Sequence, residues 1–266
     1  MTTCVRCGGE VHEGDAFCRN CGATAGVATD QGPAAIVEDP VWPDGSPALE
    51  PYEPLDGRAR WARLLLGGAV VLAVVTIPLQ LDRADAFETY LATGDPSDLE
   101  TSDDLFAALA LPSAAIGLAT IVMFLRWFSR AYRNLPAIGI RRLRFTPGWA
   151  IGSWFVPFLN LWRPKSITND LWRTGDPELP SGVTTEWRGR PVGAVVHWWW
   201  GIYVASFVRF TLALNDADVV EQADADGARQ EAFYSLLTAI AGVLAIVVVA
   251  RITERQRERA ERAGAA

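Results

Sequence analysis

The sequence predicts an all-α integral membrane protein: four transmembrane helices, a cytoplasmic interfacial or re-entrant broken helix, and a small N-terminal zinc ribbon. Three observations carry that expectation. Half of the 266 residues are hydrophobic although the chain holds 24 Lys+Arg and 31 Asp+Glu, and the mean hydropathy is +0.13, so charged and apolar residues are segregated along the chain. Four stretches stay free or nearly free of charge for roughly the 20 residues that a helix needs to cross a ~30 Å hydrocarbon core. All four cysteines fall within the first 21 residues. The apolar fraction excludes a disordered chain, and the net charge of −7 excludes a basic nucleic-acid binder.

Cys4, Cys7, Cys18 and Cys21 follow the pattern C-x2-C-x10-C-x2-C. A two-residue gap lets both thiolates of a pair meet one ion from a tight turn, and Gly8 and Gly22 let the backbone fold back toward sulfur. Two such knuckles complete a tetrahedral Cys4 site for structural Zn2+, with His12 as a spare donor that a full shell does not need. A disulfide or redox pair is the competing reading, and it conflicts with the reducing compartment assigned below. A module of residues 1–23 depends on the metal to fold. Arg6 and Arg19 are outnumbered by Glu10, Glu13 and Asp15, so its expected partner is a cytosolic protein and not nucleic acid. Residues 24–60, with six prolines and seven acids, read as an extended, disordered tether in which Trp42 and Tyr52 are chance aromatics.

The membrane domain is expected over 61–252. Its spans run from Leu64 to Leu81, from Leu105 to Leu125, from about Val192 to Leu214 and from Ala232 to Ala250. Continuous apolar runs without period-2 alternation are helical and not barrel-like. Pro78 and Pro112 are tolerated where neighbouring helices satisfy freed carbonyls. Between the first two spans lie one cation and eight acids, and between the last two one cation and six acids. The central connection, Arg126 to Arg190, holds eleven cations, and a basic tail occupies 253–266. The positive-inside rule therefore places both termini and the central connection in the cytoplasm of a bacterial cell, with the protein in its plasma membrane. No apolar h-region occurs in the first sixty residues, so the first span is the expected insertion signal.

The central connection is the most unusual segment. Phe145–Trp162 is apolar, but Pro157 interrupts it, and a fifth crossing would put the basic tail outside. We expect a helix from Thr146-Pro147, a break near Pro157–Asn160 and a second helix from about Pro164, lying at the inner interface or dipping into it. Asn160 is a candidate to cap backbone freed by Pro157, and Arg163 to bind lipid phosphate or pair with Asp170. Arg141, Arg142 and Arg144 would supply phosphate contacts to a lipid or apolar-ligand groove floored by the broken helix. Trp149, Trp154, Trp162 and Trp172 suit an interfacial belt. The run PGWAIGSWFVPFLNLWRP, with WFSRAYRN upstream and an amphipathic helix ending in Leu171-Trp172 downstream, resembles the signature of the domain-of-unknown-function 4328 family, multi-span membrane proteins common in actinobacteria. The resemblance covers about 61–252. It implies an integral membrane protein, sometimes carrying a zinc ribbon, without an established activity or catalytic residues to carry over.

Within the spans only His197 and Arg209 are ionisable, both on the third. His197 reads as an interfacial hydrogen-bonding group. Arg209 would snorkel outward or pair with Asp216, Asp103 or Asp104. Small residues at Ala110, Ser113, Ala114 and Gly117, and at Thr238, Ala241, Gly242 and Ala245, read as helix–helix contacts. With no nucleophile–base pair, HExxH or Walker loop, the expected function is non-enzymatic: a scaffold or sensor whose ribbon docks protein partners. The alternative is a small transporter or channel using Arg209 and His197, homo-oligomeric because four spans make a thin bundle.

Overall fold

Thirty-eight residues without a break, Asp56–Thr93, form the first helix, α1. It is followed by α2 (Ser97–Arg133), the single turn α3 (Trp149–Gly152), α4 (Arg163–Thr174), α5 (Ala194–Asn215) and α6 (Ala225–Arg262). This computed structural model describes residues 40–48, 50–215 and 225–265, together with two short strands, β1 (Thr2–Thr3) and β2 (Glu10–Val11). It divides into two units, Met1–Glu38 and Asp39–Ala266. In the first, β1 and β2 pair antiparallel, Thr2 opposite Val11 and Thr3 opposite Glu10. Cys4, Cys7, Cys18 and Cys21 lie outside the described residues.

In the second unit α1, α2 and α6 are long and apolar enough to cross a membrane. The fourth expected span falls on α5, 22 residues long, which at ~1.5 Å per residue is about 33 Å. Among the described helices α2 packs on α1, α1 along α6 and α6 along α5, forming a row. Gly242 sets the α1–α6 distance, since a Cβ there would reach 2.5 Å from Val70 Cγ2. Ala241 and Ala245 of the same stripe are buried, as the small-residue pattern predicts. The corresponding stripe on α2 is only partly covered: Ser113 and Gly117 are half-buried, while Ala110 and Ala114 are exposed. Pro78 and Pro112 sit inside α1 and α2, and neither ends its helix.

At about 57 Å, α1 is far longer than a bilayer core. The acidic segment expected as a loop continues both helices instead, turning only at Gly94, whose φ of 76° is left-handed. There Arg83 pairs with Asp103 and lies between Phe87 and Phe106, while Arg229 reaches Glu88 at 2.5 Å to tie α6 to α1.

The opposite, arginine-rich end departs most from expectation. Residues 40–48 and 50–55, read as part of a disordered tether, are anchored by the buried Trp42, Ala48 and Leu55, and Trp42 stacks on Tyr132 with ring centroids 6.1 Å apart. Asn134 holds the strap through both backbone groups of Glu53, accepting its N–H at 3.2 Å and donating to its carbonyl at 2.8 Å. Arg130 adds Glu50 at 2.9 Å. The basic tail expected from 253 is the last turns of α6, where Arg257 pairs with Glu254 on the exposed face and three other arginines reach back to the fold. Arg259, fully buried, donates to the carbonyls of Ile138 (3.1 Å) and Gly182 (3.3 Å). Arg262 donates to Pro177 at 2.7 Å, and Arg255 to Trp172 at 3.1 Å. Irregular loops and the last turn of a helix such as α4 leave carbonyls unpaired, and these guanidinium groups satisfy them.

Candidate functional site

The helices line an apolar cavity of about 350 Å³ next to this end, open on one side. Leu66, Ala69 and Val70 of α1 and Ala241, Gly242 and Ala245 of α6 form one side. Phe124 of α2, Trp199 and Tyr203 of α5, and Trp154 from the turn after α3 form the aromatic side. The small side chains of α6 make the space, because they leave the gap that larger residues would fill. Ile121 and Phe155, at 53% and 67% exposure, border it where it opens.

The aromatic wall is one cluster. Trp154 meets Phe124 (5.5 Å between centroids), Phe128 (5.8 Å), Trp200 (6.0 Å) and Tyr203 (5.8 Å), each at 67–87° between planes. Such edge-to-face pairs contribute ~0.5–1.5 kcal/mol each beyond the area they bury. The Trp154 indole N–H has no hydrogen-bond acceptor among the described residues, so packing alone fixes the ring. Phe124 also meets Trp127 at 5.5 Å, and the Trp127 N–H donates to Thr253 Oγ1 at 3.0 Å. Gln256 then donates to the Ala131 carbonyl at 2.8 Å. The cavity wall and the arginine-rich core thus share side chains.

The broken helix predicted over 146–162 is present but differs in extent. The first helix is the single turn α3, not one from Thr146-Pro147. After Pro157 the chain turns sharply: the Leu159 N–H donates to the Pro157 carbonyl at 2.8 Å across Phe158, which sits at φ 63°. This is a strained γ-turn. It leaves Phe155, Val156 and Phe158 projecting from the fold. The second helix, α4, begins at Arg163 with Pro164 in its first turn, as expected.

The predicted phosphate contacts are mostly engaged elsewhere. Arg144 forms a two-point pair with Asp170, its Nε–H donating at 2.9 Å. Burial pushes the Asp170 carboxyl up, against the opposing pull of Arg144, and the Asp170 hydrogen bond raises the Arg144 guanidinium. Arg163 therefore does not pair with Asp170. Its guanidinium lies over the Trp149 ring at 4.1 Å. Arg141 donates to the carbonyls of Pro136 (2.8 Å) and Ile140 (3.2 Å). Arg142 is exposed at φ 54°. Asn160 accepts no capping role from its side chain in any hydrogen bond of the described residues; its backbone N–H donates to Val156 at 3.1 Å.

His197 is exposed on α5 and does not border the cavity. Arg209 falls on α5 beyond the last side chain described there, and Asp103, one of its expected partners, pairs with Arg83. The tryptophan belt is corrected as well. Trp154 and Trp172 belong to the packed interior and Trp149 is covered by Arg163, leaving Trp162 exposed, along with Trp61 and Trp198. Sequence reasoning missed the cavity-lining Phe124, Trp199 and Tyr203 as a group. Their signal was aromatic residues clustered at the arginine-rich ends of two different spans.

Comparison with known proteins adds a family and nothing finer. A family model described as a domain of unknown function (DUF4328) matches residues 91–254. No curated protein and no solved structure matches the chain.

Proposed function

The chain belongs to the DUF4328 family, and from that membership and the geometry above we propose that it is a non-enzymatic membrane sensor or scaffold with a partner-docking zinc ribbon. Four helices cross a bacterial plasma membrane, α5 being the fourth. Both termini and the arginine-rich end face the cytoplasm, which the distribution of arginines supports. Cys4, Cys7, Cys18 and Cys21 hold structural Zn2+. The pairing of β1 with β2, which bracket Cys4 and Cys7 in the sequence, supports a knuckle in that hairpin.

The observation that carries the reading is the run of contacts Phe124–Trp127–Thr253. A change at the cavity wall reaches α6 where α6 organises the arginine-rich core. The transporter alternative through His197 and Arg209 has less support, since His197 stands away from the cavity.

Affinity capture of the full chain in mild detergent, with zinc measured on the same sample, tests the proposal. Wild type should carry one zinc and a stoichiometric cytosolic partner, both lost in Cys4→Ser. Zinc retained in Cys4→Ser, or a partner that binds both forms equally, would sink it.

A further inference from the structure

We infer that the cavity holds an acyl chain of a phospholipid from the leaflet at the arginine-rich end. This rests on the reading of the helices as membrane-crossing, not on the docking role of the ribbon.

Depth is the first argument, and three helices agree on it. Arg63, Arg126 and Arg251 end the apolar runs of α1, α2 and α6 at the same end of the row. At ~1.5 Å per residue, Leu66 and Val70 lie about 4.5 and 10 Å beyond Arg63 along the helix. By the same rise, Leu125 and Thr120 lie about 1.5 and 9 Å beyond Arg126, and Ala245 about 9 Å beyond Arg251. Half of a hydrocarbon core is about 15 Å. The cavity therefore occupies the acyl-chain depth of one leaflet, with Thr238, about 20 Å from Arg251, just past the midplane.

Chemistry and size give the second argument. No charged residue lines the space, and its polar groups are the hydroxyls of Thr120, Thr238 and Tyr203 and the indole N–H groups of Trp154 and Trp199. The Thr120 hydroxyl is already spent on the Ile116 carbonyl at 2.7 Å. Such a lining disfavours ions, headgroups and ordered water, each of which would lose its hydrogen bonds there. An apolar cavity of ~150 Å³ admits one benzene ring, so 350 Å³ takes a longer hydrocarbon. Access is lateral, at the edge where the lining residues Ile121, Phe155 and Thr238 are exposed. A chain enters there from the bilayer without passing its headgroup through the protein.

The test reconstitutes the full chain in phosphatidylglycerol–phosphatidylethanolamine nanodiscs with a trace phospholipid carrying a diazirine on its acyl chain. After photolysis, adducts are mapped by mass spectrometry. Wild type should concentrate adducts on Trp154, Phe155 and Thr238, and unlabelled phospholipid should compete them away. Thr238 is exposed at the cavity edge, so Thr238→Phe fills the space without touching the core, and its unfolding temperature should match wild type. Adduct yield at Trp154 and Phe155 should fall about tenfold in Thr238→Phe and stay unchanged in Leu111→Phe, on the exposed face of α2. Equal yields in all three proteins, or adducts spread evenly over Leu111 and Leu118, would overturn the assignment. So would loss of self-association in Thr238→Phe by light scattering, which would make the occupant a second copy. None of these results bears on the Cys4→Ser capture, so the two readings fail separately.

Discussion

The preference for arginine in this chain acquires a purpose at the level of single side chains. Of 24 cations only Lys165 is lysine, and at one end of the fold guanidinium groups serve as donors to loop carbonyls. A guanidinium offers five N–H groups in a fixed fork, whereas an ammonium is a compact, strongly hydrated point charge. Arg259→Lys should leave the carbonyl of Ile138 or Gly182 unpaired in a buried setting and cost about 1–3 kcal/mol, read as a lower unfolding temperature in detergent. The Arg144–Asp170 pair gives a second expectation. Arg144→Met strands a buried carboxylate and should cost about 3 kcal/mol at neutral pH. Because burial holds the Asp170 carboxyl above its ordinary range, its contribution is favourable at low pH and is lost as pH rises through the folded-state value. The Arg144→Met variant should therefore regain stability on acidification, while Arg144→Met/Asp170→Leu should recover most of it at neutral pH. Thermal unfolding across pH distinguishes these cases. The arginine skew was legible in the sequence, but its use was not, since the acceptors are carbonyls that every residue carries.

Among the elements, apolar periodicity and proline positions were informative, and tertiary docking was not. The three longest helices follow from run length, whereas the helix expected to break at Pro157 already ends at Gly152, and the sharp turn comes after the proline, at Phe158. The extension of α1 to Thr93 could have been found, because no glycine or proline interrupts 82–93 and both occur at Gly94-Asp95-Pro96. Strap residues 40–55 had no such signal. Their proline and acid content reads as disorder, yet Trp42 finds a slot against Tyr132, and Glu50 and Glu53 meet Arg130. Trp42→Ala should cost ~3–5 kcal/mol if the slot cannot collapse and should open the strap to limited proteolysis around 40–55 while the helices stay protected. Equal protease resistance in both proteins would show that the strap does not depend on this ring.

For the molecule as a whole, orientation is the property that the remaining readings share. In a background with the four native cysteines replaced by serine, Ser181→Cys should react with an impermeant maleimide only after cells are opened, and Asp95→Cys in intact cells. The reverse pattern would invert the topology and remove the reducing setting of the ribbon. The order of synthesis also matters, because α6 follows every other described element and its side chains meet partners far back in the chain: Thr253 with Trp127, Gln256 with Ala131, Arg259 with Ile138. At ~5–20 residues per second, on the order of ten seconds of translation separate the partners in each pair. Throughout that interval Trp127, Ala131 and Ile138 are already made and still lack their α6 partners, so a chain truncated before Arg251 should keep its arginine-rich end unclosed and open to proteolysis.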